Sequence, residues 1–260
     1  SNLLEHYQSG RFCEAEKLAV SITEQFPRHN FSWKILGAVL KQTGRVSEAV
    51  FAGEKAIEIT PDDAEAHSNL GVMLQELGRL EEAEATLRQA ITLKPDYAEA
   101  HYNLGVMLQE LSRLDEAEAS YRQVILLKPD YTQAHSNLGN VLQELGRLEE
   151  AETSYTQAIV LRPDYADAHC NLGTMLEEMG RLDEAEACYR IAISLKPDLV
   201  GAYSNLGNTL KELGKLEEAE ASYRQAIVLK SNFSEAHINL GNTLKELGRL
   251  EDAEASYIQA

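Results

Sequence analysis

A chain of 260 residues with 42 acidic and 24 basic side chains has a net charge of −18, which argues against nucleic acid as a partner because gripping phosphates requires a basic surface. No apolar run is long enough to span a bilayer and no signal-peptide pattern opens the chain, so no membrane partner is expected. The three cysteines, Cys13, Cys170 and Cys188, form no CxxC pair, and that sparse usage points to a reducing, cytoplasmic setting.

Residues 1–29 read as the latter part of a repeat, since Gly10, Ala15 and Pro27 stand 34 residues before Gly44, Ala49 and Pro61. The Ser1-Asn2 start reads as a cloning remnant. Six full repeats follow over 30–233. Their markers are the Asn-Leu-Gly glycines Gly71, Gly105, Gly139, Gly173, Gly207 and Gly241, spaced by 34 residues, with Gly37 extending the series backwards. Such a period predicts a single solenoid over 1–260, each repeat a pair of antiparallel helices that cannot bury its apolar face alone.

In the second repeat, helix A is expected over 64–77, with Asp62 as N-cap, Glu65 three residues on, and Gly78 as the stop. Helix B follows over 80–93 until Pro95 forbids continuation, and Asp96 with Glu99 is expected to cap the next helix A. Gly71 costs roughly 1 kcal/mol inside a helix. With Ala83 and Ala90 it allows neighbouring helices to approach closely, while Leu70, Leu74, Leu77 and Leu80 fill the space between them. The first full repeat is irregular, with Trp33 at an aromatic position and Gly53 where later repeats have Leu or Tyr. The truncated last repeat, 234–260, stops inside helix B without a polar cap. A fragment of a longer protein is therefore expected, with uncapped ends available for end-to-end self-association.

The third repeat, with Leu104, Gly105, Leu108, Ala117, Tyr121 and Pro129, resembles the tetratricopeptide repeat family. That resemblance implies an all-α fold, a right-handed superhelix whose concave surface is lined by helix A. On helix A, helical spacing places Glu65, Ser68, Asn69, Val72 and Glu76 on one polar face.

The distinctive feature of that face is a ladder of one asparagine per repeat: Asn69, Asn103, Asn137, Asn171, Asn205 and Asn239. An amide offers donor and acceptor together, matching a peptide unit. Helices roughly 8 to 10 Å apart and a strand rise of about 3.3 Å per residue let each rung meet roughly every third residue of an extended polypeptide. Asn140, Asn208 and Asn242 widen the strip. The alternative role for the ladder is helix-to-helix hydrogen bonding. With His-Ser-Asn-Leu-Gly and Glu-Ala-Glu-Ala-Ser-Tyr around it, the ladder is similar to the repeat region of O-linked N-acetylglucosamine transferases. That similarity implies an acceptor polypeptide held along the groove, as the substrate-selecting arm of a larger glycosyltransferase. It covers the repeats only, and no activity follows from it.

The carboxylate clamp of chaperone-binding relatives uses basic residues on the inner face of helix A. Here its key position holds Glu65, Glu99, Gln133, Asp167, Gly201 and Glu235, so a neutral or basic extended segment is the expected partner. His67, His101, His135, His169 and His237 lie on successive repeats, too far apart to share a metal, and read as packing residues with a polar edge. Tyr121, Tyr155, Tyr189, Tyr223 and Tyr257 read as core. Paired acids such as Glu81 and Glu82 read as a solvated helix-B face. With no nucleophile and base constellation and no phosphate loop, neither an enzyme nor a cofactor is expected.

Overall fold

The computed structural model describes residues 2–260, and among them it contains sixteen α-helices and no strand; Ser1 lies outside the described residues. Two compact units divide the chain, Ser1–Pro129 and Asp130–Ala260. The first holds α1 (Asn2–Gln8), α2 (Phe12–Gln25), α3 (Asn30–Gln42), α4 (Val46–Ile59), α5 (Ala64–Glu76), α6 (Leu80–Leu93), α7 (Ala98–Glu110) and α8 (Leu114–Leu127). The second holds α9 (Thr132–Glu144), α10 (Leu148–Leu161), α11 (Ala166–Glu178), α12 (Leu182–Leu195), α13 (Val200–Glu212), α14 (Leu216–Leu229), α15 (Ser234–Glu246) and α16 (Leu250–Ile258). Odd-numbered helices correspond to helix A and even-numbered ones to helix B. Within each unit every helix packs on its chain neighbours, and successive A helices also touch, as α5 does α7 and α11 does α13. Among the described residues the backbones of successive B helices stand farther apart, so the A side is the inner side of each stack.

Glycine ends helix A as expected. Gly78, at φ +73°, donates to the Gln75 carbonyl at 2.9 Å while Arg79 N–H reaches back to the Leu74 carbonyl at 2.9 Å. These two bonds satisfy carbonyls that the last turn would otherwise leave open. The same turn recurs at Gly44, Gly146, Gly180, Gly214 and Gly248, but the equivalent position in the third repeat is Ser112, held at φ 56°.

The start of helix A departs from expectation by one residue. Asp63, not Asp62, is the N-cap of α5, accepting from Ala66 N–H at 3.0 Å. Nor does Asp96 cap α7, whose N-cap is Tyr97, with no side-chain capping bond. Pro95 and Asp96 instead form the middle of a turn closed by Tyr97 N–H on the Lys94 carbonyl at 3.1 Å. The aromatic ring then receives the base before the proline: Lys94 Nζ sits 5.1 Å from the Tyr97 ring centroid and the Arg162 guanidinium 3.8 Å from that of Tyr165. A cation over an aromatic face holds this junction where a capping oxygen was expected.

The core of each repeat forms where a helix-A glycine meets a helix-B ring. A Cβ at Gly139 would lie 2.6 Å from Tyr155 Cε1, and one at Gly207 would lie 2.6 Å from Tyr223 Cε1. Tyr121, Tyr155, Tyr189 and Tyr223 are wholly buried, as are Ala83 and Ala90. Tyr257 departs from its expected core role, remaining 40% exposed. In the second repeat Leu87 takes the ring's place, against Gly71.

Two stability outcomes follow. Gly139→Ala gains helix propensity but drives a methyl into the Tyr155 ring, and is expected to lose a net 1 kcal/mol or so in chemical denaturation, because overpacking costs about 1–3 kcal/mol. Ser112→Gly removes a left-handed side-chain penalty and is expected to gain about 1 kcal/mol, seen as a higher denaturation midpoint at unchanged helicity.

Candidate polypeptide-binding face

On the inner face, Asn69 is exposed, whereas Asn103, Asn137, Asn171, Asn205 and Asn239 are half-buried. In the second unit the amide nitrogens of three rungs lean on the preceding A helix: Asn171 Nδ2 donates to Asn140 Oδ1 at 2.9 Å, Asn205 Nδ2 to Thr174 Oγ1 at 3.2 Å, and Asn239 Nδ2 to Asn208 Oδ1 at 3.0 Å. Where the acceptor position is Val72, Asn103 Nδ2 turns to Ser68 Oγ at 3.2 Å. Ser68, expected on the open polar face, is 1% exposed, because the neighbouring helix covers it. The helix-to-helix bonding weighed for these residues is thus present. It uses one N–H of each amide, and the side-chain oxygens of Asn103, Asn171, Asn205 and Asn239 accept no bond among the described residues.

The secondary asparagines are the middle links of a relay. Asn140 Oδ1 also accepts from the buried Tyr155 hydroxyl at 2.8 Å, and Asn208 Oδ1 from Tyr223 at 2.8 Å; Asn242 Oδ1 takes the Tyr257 hydroxyl at 2.8 Å. Core hydroxyl, secondary amide and ladder amide therefore fix one another, and the ladder amide's orientation is set from inside the repeat. Open clefts lie on this face, one lined by Asn140, Gln143, Asn171 and Thr174, another by Glu177, Asn208, Glu212 and Asn239.

Near the end of helix A, a donor of one repeat meets a glutamate of the next. Lys41 pairs with Glu76 at 3.0 Å, Gln75 Nε2 donates to Glu110 at 2.6 Å, Gln143 Nε2 to Glu178 at 2.8 Å, and Lys211 pairs with Glu246 at 3.0 Å. The junction at Glu177 breaks the pattern by bringing one carboxylate toward another, Glu212. Burial and the Glu212 charge raise the Glu177 carboxyl above its ordinary 4.5, although the Tyr189 hydroxyl donates to it at 2.8 Å.

Other expected non-functional positions behave structurally. The His67, His101, His169 and His237 rings each use Nε2 to donate to the carbonyl six residues earlier, at 2.8 to 3.0 Å, and Trp33 Nε1 donates to Pro27 at 2.8 Å. Glu82 bonds Arg79 at 2.6 Å, which holds its carboxyl below the usual range. Burial pushes the Cys170 and Cys188 thiols up to about 11. Among the described residues, no group of His, Cys, Asp and Glu side chains is placed to hold a metal ion, and no helix is long and apolar enough to cross a membrane.

A stack of helix pairs with a patterned polar inner face defines a helical-repeat interaction scaffold, a class into which comparison with known proteins falls. A family described as "TPR repeat" matches residues 73–112, 139–180 and 207–248, and families described as "Tetratricopeptide repeat" match 52–85, 96–159 and 166–199. The chain belongs to the tetratricopeptide repeat family. Among solved structures it is similar to YrrB, described as a TPR protein with an unusual peptide-binding site, at 25% identity over 71% of this chain and 95% of that one, with TM-score 0.58. It also resembles PilF of Pseudomonas aeruginosa (22% identity, 75% and 88% coverage, TM-score 0.67) and a chain of the APC/C hetero-tetramer Cut9-Hcn1 (16%, 95% and 49%, 0.71); these two likenesses show the fold alone. No curated protein sequence matches the chain.

The Glu177–Glu212 junction makes a titration prediction. Glu177→Gln keeps the acceptor for Tyr189, as Gln143 Oε1 does for Tyr155 at 2.9 Å, and supplies the donor that Glu212 lacks. A carboxyl with a raised folded pKa opposes folding once ionised and does not when protonated in both states. The variant is therefore expected to gain roughly 0.5–1 kcal/mol at neutral pH, after allowance for solvent screening. The electrostatic part of that gain shrinks as the pH falls through the raised Glu177 pKa and is gone below the ordinary 4.5, which denaturation at neutral pH and below 4.5 measures.

Proposed function

We propose that this chain holds an extended polypeptide against the inner faces of its units, with the asparagine amides as backbone readers. The observation that supports this reading is the half-used amide. One N–H of Asn103, Asn171, Asn205 and Asn239 is anchored to a neighbouring helix, while the oxygen accepts nothing and a second N–H remains, the donor and acceptor pair that a peptide unit requires. The peptide-binding site named for YrrB belongs to that protein and supports the reading by likeness. A net charge of −18, with two facing carboxylates at Glu177 and Glu212, favours neutral or basic segments over acidic ones.

The similarity of the ladder repeats to those of O-linked N-acetylglucosamine transferases supports a second, narrower reading, in which the held polypeptide is an acceptor presented to a glycosyltransferase region. A catalytic region encoded after Ala260 would support it, and an unrelated sequence there would remove it.

The principal test is binding of an unbiased library of extended peptides to the wild type and to a variant with Asn103, Asn137, Asn171 and Asn205 changed to Ala. Each lost amide is worth about 1 kcal/mol, so the variant is expected to bind roughly 100-fold or more weakly, with helicity retained and a melting temperature lowered by the interhelical bonds it loses. Equal binding by the two proteins would leave the ladder as helix-to-helix bonding only.

A further inference from the structure

The outer side of the first unit carries a groove whose aromatic lining the later repeats do not reproduce. It runs between α2 and α4 over α3, with Val20, Trp33, Leu36 and Phe51 along it and Glu16, Glu24, Arg45 and Glu48 at its rim. The chain supplies its own controls for this site. At the position of Phe51 the later repeats have Ala85, Ala119, Thr153, Ala187, Ala221 and Ala255, and at that of Val20 they have Glu54, Arg88, Arg122, Thr156, Arg190 and Arg224. The counterpart groove near the other end of the chain keeps an apolar floor of Ile227, Val228 and Leu240, but has Arg224, His237 and Ala255 where the first has Val20, Trp33 and Phe51.

These exchanges open the groove as well as changing its chemistry. Arg88 reaches from one B helix to Glu116 on the next at 3.0 Å, and Arg190 reaches Glu218 at 2.7 Å. The equivalent pair at this groove is Val20 and Glu48, which cannot bridge. In place of an ion pair stands an aromatic pair, Trp33 and Phe51, edge to face with centroids 6.1 Å apart. The Trp33 ring is pinned by its bond to Pro27. Phe51 is nonetheless 54% exposed and Val20 36% exposed, an unpartnered apolar surface of a kind associated with docking sites.

Charge selects the occupant. The rim presents three carboxylates and one guanidinium, and Arg45 is already engaged by Glu16 and Glu48. A second copy of the chain would set one acidic rim and a charge of −18 against another, which opposes association. We infer that this groove docks an apolar-faced helix of another protein, with lysine or arginine flanking its apolar stripe. This site is separate from the inner face and stands whether or not that face binds peptide.

Trp33 is the chain's single tryptophan, so its emission reports occupancy directly. The probe is a synthetic helical peptide with leucines at i, i+3, i+4 and i+7 and lysines on the flanks. Two further peptides have glutamate in place of lysine, or the same composition scrambled to destroy the stripe. The lysine peptide is expected to give a saturable blue shift of Trp33. Phe51→Ala and Val20→Arg, which install residues the later repeats already use, are each expected to weaken it at least 10-fold with unchanged circular dichroism. The glutamate and scrambled peptides are expected to bind at least 10-fold more weakly to the wild type. The inference is overturned if both variants bind the lysine peptide as the wild type does, or if the scrambled or glutamate peptide binds equally. It is also overturned if sedimentation and Trp33 emission shift together with protein concentration in the absence of peptide, which would make the occupant a second copy.

Discussion

The contact on which each regular repeat depends is a helix-B tyrosine ring lying against a helix-A glycine. A side chain at Gly105, Gly139, Gly173 or Gly207 would sit within 2.8 Å of ring carbons, so the pairing sets how closely the two helices approach. The ring is too large to be tolerated beside any other residue and too well buried to be replaced by a small one without a void. The helix-propensity cost of the glycine is offset by that burial. Because the hydroxyl emerges on the helix-A side, the contact that closes the core also delivers a polar group to the base of the inner face.

Polar organisation therefore runs outward from the core. Tyr155 holds Asn140, Asn140 holds Asn171, and the same order recurs through Tyr223, Asn208 and Asn239. Amides constrained in this way lose little rotamer freedom on meeting a ligand, which lowers the entropic cost of ordering them. The helix-B side is organised differently, by ion pairs at the surface, such as Arg88 with Glu116 at 3.0 Å and Arg190 with Glu218 at 2.7 Å. Exposed pairs of this kind contribute little stability, but they occupy the outer clefts, and their absence beside Val20 is what leaves one open.

Much of this was legible in the sequence because repetition amplifies weak signals. The stop at Gly78, the helix limits near Leu80 and Leu93, and the burial of four of the five tyrosines follow from spacing and residue size. The capping residue was misplaced because Asp62 and Asp63 are adjacent acids and Asp62 with Glu65 satisfies the usual spacing, while the turn geometry that decides between them depends on the proline before. Ser68 falls on the polar arc of a single helical wheel, yet the neighbouring helix buries it, a fact no one-helix projection contains. The relay through Asn140 and Asn208 joins residues 15 and 31 positions apart, so it becomes visible only once the stacking distance is known. The outer groove likewise required Val20, Trp33 and Phe51 to be brought together from three helices.

The alternation of Val72 and Val106 with Asn140, Thr174 and Asn208 at one helix-A position has a consequence for anything that runs along such a face. A perfectly uniform ladder offers a long polymer several equivalent registers, and the polymer can shift by one rung without changing its energy. Here the rungs are graduated: those of α11, α13 and α15 rest on a polar side chain three residues beyond the ladder asparagine of the preceding A helix, while Asn103 in α7 rests on Ser68 instead. The degeneracy of translation is lifted, and position along the stack becomes information, as the unequal marks on a ruler distinguish one centimetre from the next.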